Sequence, residues 1–326
     1  MFSTMLTVAL QVLVLFSLMF LGIFLSKKKI LTDTGSSQLT DILLLIVTPC
    51  VIINAFFSTP FDTKKLNGLL MTVLIAVLTH VIAILISILI FKKNPDKIKT
   101  VMQLGAIFSN AGYMGIPLML AVVGTEGALY SSVYIAVFNV FLWTAGVILC
   151  VGKKNKISLK KIFINPGTVA IMIGLPVFLL SANQSFMQNS VLIYLEKNVF
   201  TVPKTAVSML ASLNTPLAML VIGFHMSKID FKSIWNDQKI YLVSGFRLIV
   251  VPLLMFYPIY LFCNNSVLAI SCIISVSAPC ATVTSLFAEK YEKDVVFASK
   301  CVTFSTLFSI ITMPVFVALM SAVKSV

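Results

Sequence analysis

The sequence predicts an all-α membrane protein with ten transmembrane helices. They form two inverted five-helix repeats whose fourth and ninth helices are broken and cross. Three observations lead there. The 326 residues are 59% hydrophobic and 11% charged, with a mean hydropathy of +1.04, whereas a soluble domain carries about 25% charged residues. The apolar residues fall into runs of membrane-spanning length, joined by loops that alternate between lysine-rich and lysine-poor. A single displacement of the chain against itself superposes its two interrupted runs.

A span needs about 20 apolar residues. Runs of that kind lie at 5–25, 40–57, 68–91, 100–122, 128–151, 166–182, 204–224, 240–262, 266–288 and 295–320. The sixth is short, and 190–200 after it reads as a brief surface helix. No positive side chain precedes the first run, Lys27-Lys28-Lys29 follows it, and it lacks an A-x-A-like cleavage site. It reads as a retained span that enters with its N-terminus outside. Lysines gather in loops on one side, at Lys27–Lys29, Lys92–Lys99, Lys153–Lys161, Lys228–Lys239 and Lys290–Lys300, and only a few lie on the other. The lysine-rich side is cytoplasmic, which puts both termini outside a cell (plasma) membrane. The net charge of +13 is spent on these loops. No basic stripe interleaved with aromatics points to nucleic acid. The six cysteines lie in or beside apolar runs without a C-x-x-C pair. They read as packing residues, with no disulfide, metal or cofactor expected.

A shift of 167 residues brings Thr48-Pro49 onto Thr215-Pro216 and Asn110-Ala111-Gly112 onto Ser277-Ala278-Pro279. It also brings His80 onto Arg247 and Phe141 onto Phe308. Weak internal symmetry with interrupted helices at corresponding places points to a transporter. Each half, 1–159 and 160–326, holds five spans. Five is odd, so the second half enters the membrane upside down.

The interruptions carry the chemistry. Asn110 to Pro117 places an amide, two glycines (Gly112, Gly115) and a proline inside an apolar run. In a helix interior glycine costs about 1 kcal/mol and proline about 3. In hydrocarbon, freed backbone groups survive only where protein or a wet cavity satisfies them. Two readings stand: an unwound crossing at a transport site, or a kinked helix with close glycine packing. Span nine has matching polar and small residues, among them Ser277, Pro279, Thr282 and Thr284. If both helices unwind, four half-helix ends meet, each equivalent to roughly half a charge. Pro117 suits the first position of a resumed helix, and the amides after it then face an anion. Asn110 and Ser277 would bind substrate or freed carbonyls, and Thr282 and Thr284 would add hydroxyls. For each hydroxyl alone, back-bonding to its own helix is the competing reading.

Every Asp and Glu falls in a loop or at a helix end. Carboxylate-based cation exchange is therefore disfavoured, and a dipole-built site prefers an anion. Arg247, inside span eight, either neutralises an anion on its path or snorkels to lipid phosphate. His80, mid-span, is either a proton site or a packed neutral ring. Asn54, Asn139 and Asn214 either line a cavity beside the break or hydrogen-bond between helices.

The stretch Asn110-Ala-Gly-Tyr-Met-Gly-Ile-Pro117 resembles the signature of the auxin efflux carrier family. The likeness extends through Ser277-Ala-Pro279, Glu289-Lys-Tyr291 with Asp294, and Ser305-Thr-Leu-Phe-Ser-Ile310, and so over essentially the whole chain. The resemblance implies a scaffold of spans one, two, six and seven and a transport unit of the others. Asn110, Gly112, Gly115 and Pro117 would form one arm of the crossover and Pro279 the other. It also implies a possible homodimer through the scaffold. Plant members export auxin, and bacterial members include malate and malonate permeases. The short 152–165 connection places this chain with the short bacterial branch.

The resulting expectation is a secondary transporter of small organic anions, mono- or dicarboxylates, working by alternating access at a mid-membrane crossover. Its partners would be that substrate and the lipid bilayer. Alternatives are a sodium-coupled organic-anion symporter of similar fold and a membrane sensor that transports nothing. An intramembrane enzyme would need paired aspartates or an H-E-x-x-H helix, and neither is present.

Overall fold

A computed structural model describes residues 2–59, 61–151, 166–182, 196–228 and 231–324. The described elements are helices, and no strand occurs among them beyond one isolated bridge. In chain order they are α1 (Phe2–Lys27), α2 (Asp33–Ser58), α3 (Thr63–Ile90), α4 (Asp96–Ile107), α5 (111–123), α6 (125–151), α7 (Pro166–Leu180) and α8 (Asn198–Ser227). There follow the short α9 (Phe231–Trp235), then α10 (Gln238–Phe262), α11 (Ser266–Ser277), α12 (Val283–Lys290) and α13 (Val295–Lys324). The helical segments Asp33–Ser58, Thr63–Ile90, Ala111–Val151, Asn198–Ser227, Gln238–Phe262 and Val295–Lys324 are long and apolar enough to cross a membrane. Large apolar side chains on their outer faces, such as Leu45, Leu89, Ile311 and Tyr257, are exposed, as lipid-facing positions must be. The chain is thus a multi-pass membrane protein.

The loops supply the caps. Thr32, Asp62, Asp237 and Asn265 each accept a backbone N–H of the helix that follows, which satisfies donors the helix start leaves free. Residues 111–151 run as one helical segment except at Gly124, whose φ of +76° breaks the helical geometry and kinks the segment between α5 and α6. Glycine takes that backbone conformation without a steric penalty.

Prolines shape the helices in a repeated way. Thr48, Ile116 and Val251 each directly precede a proline, and each donates its amide to the carbonyl five residues back rather than four. Proline has no N–H and its ring collides with the carbonyl four residues behind. Widening the preceding turn to an i→i−5 pattern relieves the collision and bends the helix. The π turns Leu43–Val47, Ala111–Gly115 and Phe246–Val250 result.

Glycines let two helix pairs approach closely. A Cβ on Gly22 would lie 2.4 Å from the Leu220 carbonyl oxygen, and one on Gly223 would lie 2.0 Å from that of Met19. Helices α1 and α8 therefore pack main chain on main chain, the usual use of small residues in a membrane bundle. Similarly, Gly174 of α7 receives the Phe56 ring of α2, and Phe178 stacks edge-on to Phe56 at 6.1 Å.

Two sequence expectations need adjustment. The helical stretch expected at 190–200 is, in its described part, a π turn (Glu196–Phe200) leading directly into Thr201–Ser212, so it extends α8; residues 190–195 lie outside the described residues. The boundary between halves at 159/160 also lies outside them. The helix expected to resume at Pro117 resumes at Ala111, where the π turn begins.

Replacing Gly223 with alanine forces α1 and α8 apart, at a cost of about 3 kcal/mol. Gly245→Ala, where an added Cβ meets nothing within 4 Å, should be neutral or stabilising by up to about 1 kcal/mol through helix propensity. Thermal unfolding of the two variants in detergent checks the contrast.

Candidate functional site

Helices α4 and α11 both stop inside the protein. After Ile107 the chain turns extended at Phe108, and after Ser277 it turns extended at Ala278, the residue before Pro279, as the residue preceding a proline prefers. The two extended stretches meet in a short antiparallel pairing centred on Ser109 and Cys280. Asn110 N donates to Pro279 O at 2.7 Å, and Ala281 N donates to Phe108 O at 2.9 Å. A third bond, Cys280 N to Ser305 Oγ of α13 at 3.1 Å, ties the pair to the last helix. All six residues from Phe108 to Asn110 and from Pro279 to Ala281 are buried. Backbone groups freed by unwinding thus satisfy each other, which is what a break in hydrocarbon requires.

Four half-helix ends converge on this crossing. The two C-terminal ends share one side chain. Arg247, projecting from the π turn of α10, is fully buried. Its Nη1 donates to Ala106 O at 3.3 Å and to Ile107 O at 3.1 Å, at the end of α4, and its Nη2 donates to Val276 O at the end of α11. Two helix C-termini together present about one negative charge, and one guanidinium balances it. Snorkelling to lipid is excluded by complete burial. The Nε atom has no partner.

The N-terminal ends of α5 and α12 have no such cation. Asn110 O accepts from Met114 N and Gly115 N, so the amides of Ala111, Gly112 and Tyr113 precede the first bonds of their turn. At the start of α12, Thr284 N and Ser285 N already bond Ala281 O and Thr282 O. Several side-chain atoms near the crossing are buried without a partner: Ser109 Oγ, Asn110 Nδ2, Tyr113 OH and Thr284 Oγ1, with Thr306 Oγ1 beside the bridging Ser305. Buried polar groups left unpaired are uncommon and ask for an explanation.

Asn214 links the crossing to a cavity. Pro117 has no amide to give the carbonyl of Gly112 five residues behind it, in the register of the widened turn. Asn214 Nδ2 reaches that carbonyl at 3.4 Å from the start of the second part of α8. Asn214 also lines a cavity of about 260 Å³ between α2, α5, α6 and α8. Its polar lining is Asn54, Ser58, Thr125, Ser208, Ser212, Asn214 and Thr215, and the remainder, including Val51, Ile116 and Leu120, is apolar. No charged side chain contributes to the lining.

The structure gathers Asn110, Gly112, Pro117, Pro279 and Asn214 around the crossing. The two glycines are not held by space: a Cβ on Gly112 or Gly115 would make only ordinary contacts at 3.5 Å or more. Ser277 Oγ lies 3.5 Å from Ile274 O, a back-bond to its own helix. Thr282 leads into α12 without capping it, and Thr284 sits buried inside that helix against Gly105. Asn139 is half-buried on α6, outside the cavity lining. His80 packs its ring on Phe141 at 4.9 Å, its Nδ1 pairs with Ala76 O at 2.7 Å, and its Nε2 has no partner. Sequence reasoning passed over Ser109, Cys280 and Ser305 as site residues. Cys280 enters through its backbone, which side-chain chemistry does not announce.

The family model described as membrane transport protein matches residues 7–317. A protein of Methanothermobacter thermautotrophicus, described as an uncharacterized transporter, is 22% identical over 302 residues. The alignment covers 91% of this chain and 93% of that protein.

Because Asn214 serves a carbonyl that Pro117 leaves free, the two residues are coupled. Pro117→Ala supplies the missing amide, so Asn214→Ala should cost less in the P117A background than alone, by about 1 kcal/mol. Additive Tm shifts across the four proteins of this cycle would contradict the coupling.

Proposed function

Because the chain belongs to the membrane transport protein family, that of the auxin efflux carriers, and is a membrane transporter, we propose that its cargo is a small organic anion. The observation that supports this most is the polarity of the crossing. Arg247 occupies both carbonyl ends, while the amide ends beside Asn110 and Thr282 carry the positive poles of α5 and α12. A carboxylate is the natural guest of such poles.

In this reading α4 with α5 and α11 with α12 each form one interrupted crossing. Together with α1, α2, α3, α6, α7, α8, α10 and α13 they make ten spans. The halves are inverted repeats, both termini are extracytoplasmic and the membrane is the plasma membrane. Spans one, two, six and seven form a scaffold, through which a homodimer can assemble. The pairings of α1 with α8 and α2 with α7 through Gly22, Gly223 and Gly174 support that division. The cavity beside Asn214 lies between this scaffold and the transport unit, where alternating access needs a substrate to dwell.

Within the site, Asn110 Nδ2 and the Ala111–Tyr113 amides receive the carboxylate, and Thr284 and Ser277 border it. The neutral lining of the cavity, mostly apolar with hydroxyl and amide groups set into it, suits a mono- or dicarboxylate of malate-like size. A negative cell interior favours anion exit by about 2.3 kcal/mol per charge per 100 mV, so uncoupled transport would run outward.

Counterflow of labelled organic acids in proteoliposomes tests the assignment. Asn110→Ala removes a hydrogen bond to an ion, about 1.5–3 kcal/mol, and should lower flux about 10–100-fold. Gly245→Ala should retain it. Undiminished flux through the Asn110 variant would remove that residue from the site.

A further inference from the structure

Transporters with broken helices commonly place a coupling cation at the carbonyl ends of the half-helices. In this chain those ends are already occupied. The carbonyls of Ala106, Ile107 and Val276 converge on one guanidinium. Among the described residues, the buried polar and charged side chains include no carboxylate, and no cluster of His, Cys, Asp and Glu is suited to a metal ion. The geometry points to Arg247 as a tethered cation that stands permanently in a sodium-type site and makes the transporter independent of sodium. This concerns the coupling of the transport proposed above, and rests on that reading only for its consequence for flux.

The physical case is a balance of costs. An arginine within a membrane helix costs roughly 2.5–3.5 kcal/mol even on the more lenient scales. It is retained in full burial where it meets about one unit of opposing charge from two helix ends and donates to both. A guanidinium's planar fork holds its N–H donors in a fixed geometry that meets carbonyls of two separate segments at once, whereas an ammonium is a compact charge with freely rotating donors. The side chain arises from α10, whereas the carbonyls belong to α4 and α11, so it pins the two arms of the crossing to a third helix. Arg247 is therefore a positioning residue: it holds the two arms together and leaves only their amide ends to the substrate.

If the site is a cation site filled from within, emptying it should create a need for a free cation. The test measures Tm of purified protein without any substrate, in sodium chloride against choline chloride at equal ionic strength. The wild type should show no difference. Arg247→Ala should lose at least about 5 °C in choline and regain much of it in sodium or in millimolar guanidinium. Guanidinium should leave the wild type unchanged or lower its Tm, so the sign of the response separates rescue from a general salt effect. Arg247→Lys, which keeps a charge, should fall between the two and stay indifferent to sodium. Stabilisation of the wild type by sodium would overturn the inference, and this arm can be read even if the alanine variant does not fold. An alanine variant that folds and ignores both cations would overturn it as well. These measurements contain no organic acid, so their failure leaves the anion assignment standing. A failed counterflow assay would in turn leave Arg247's role untouched.

Discussion

A helix broken inside hydrocarbon must find partners for every polar group it releases, and this constraint organises the molecule. Here the freed groups divide into three kinds with three solutions. The extended residues on either side of Ser109 and Cys280 pair with each other. The carbonyl ends of α4 and α11 share the Arg247 guanidinium. The carbonyl released by Pro117 is taken by Asn214, on a different helix. After these assignments several buried side-chain atoms near the crossing, among them Asn110 Nδ2 and Tyr113 OH, keep no partner.

The prolines extend the same logic beyond the crossing. Pro49, Pro117 and Pro252 each follow a turn widened to an i→i−5 pattern. Widening a turn changes the direction in which its side chains leave the helix. Arg247 sits inside the widened turn before Pro252, and Asn110 precedes the one before Pro117. Two of the three bends thus lie beside residues of the crossing. Elsewhere, Gly22 and Gly223 let α1 and α8 touch through their backbones.

Much of this was legible in the chain. Residue types at 110–117 and 277–284 announce a break because glycine and proline are costly in a helix and costlier in lipid. The helices do end at Ile107 and Ser277. Three things were less legible. The break is narrower than the polar stretch that signals it, since Gly112 and Gly115 sit within a helical turn and need no special space. Asn139 has the same amide as Asn110 and Asn214 yet lies outside the cavity lining, because its place is decided by helix rotation rather than composition. Cys280 contributes through its backbone.

By itself the sequence determined that this is a helical membrane protein, where its apolar segments lie and where two of them are interrupted. Those facts follow from local cost: transfer to lipid and helix propensity are summed residue by residue along the chain. Only the tertiary structure decided that the two interruptions face each other, that Arg247 serves their carbonyl ends instead of a lipid, and that Asn214 answers for Pro117. Hydrogen bonding across residues 141 and 102 positions apart depends on how helices pack, and a linear pattern of hydrophobicity does not encode which buried donor meets which buried acceptor.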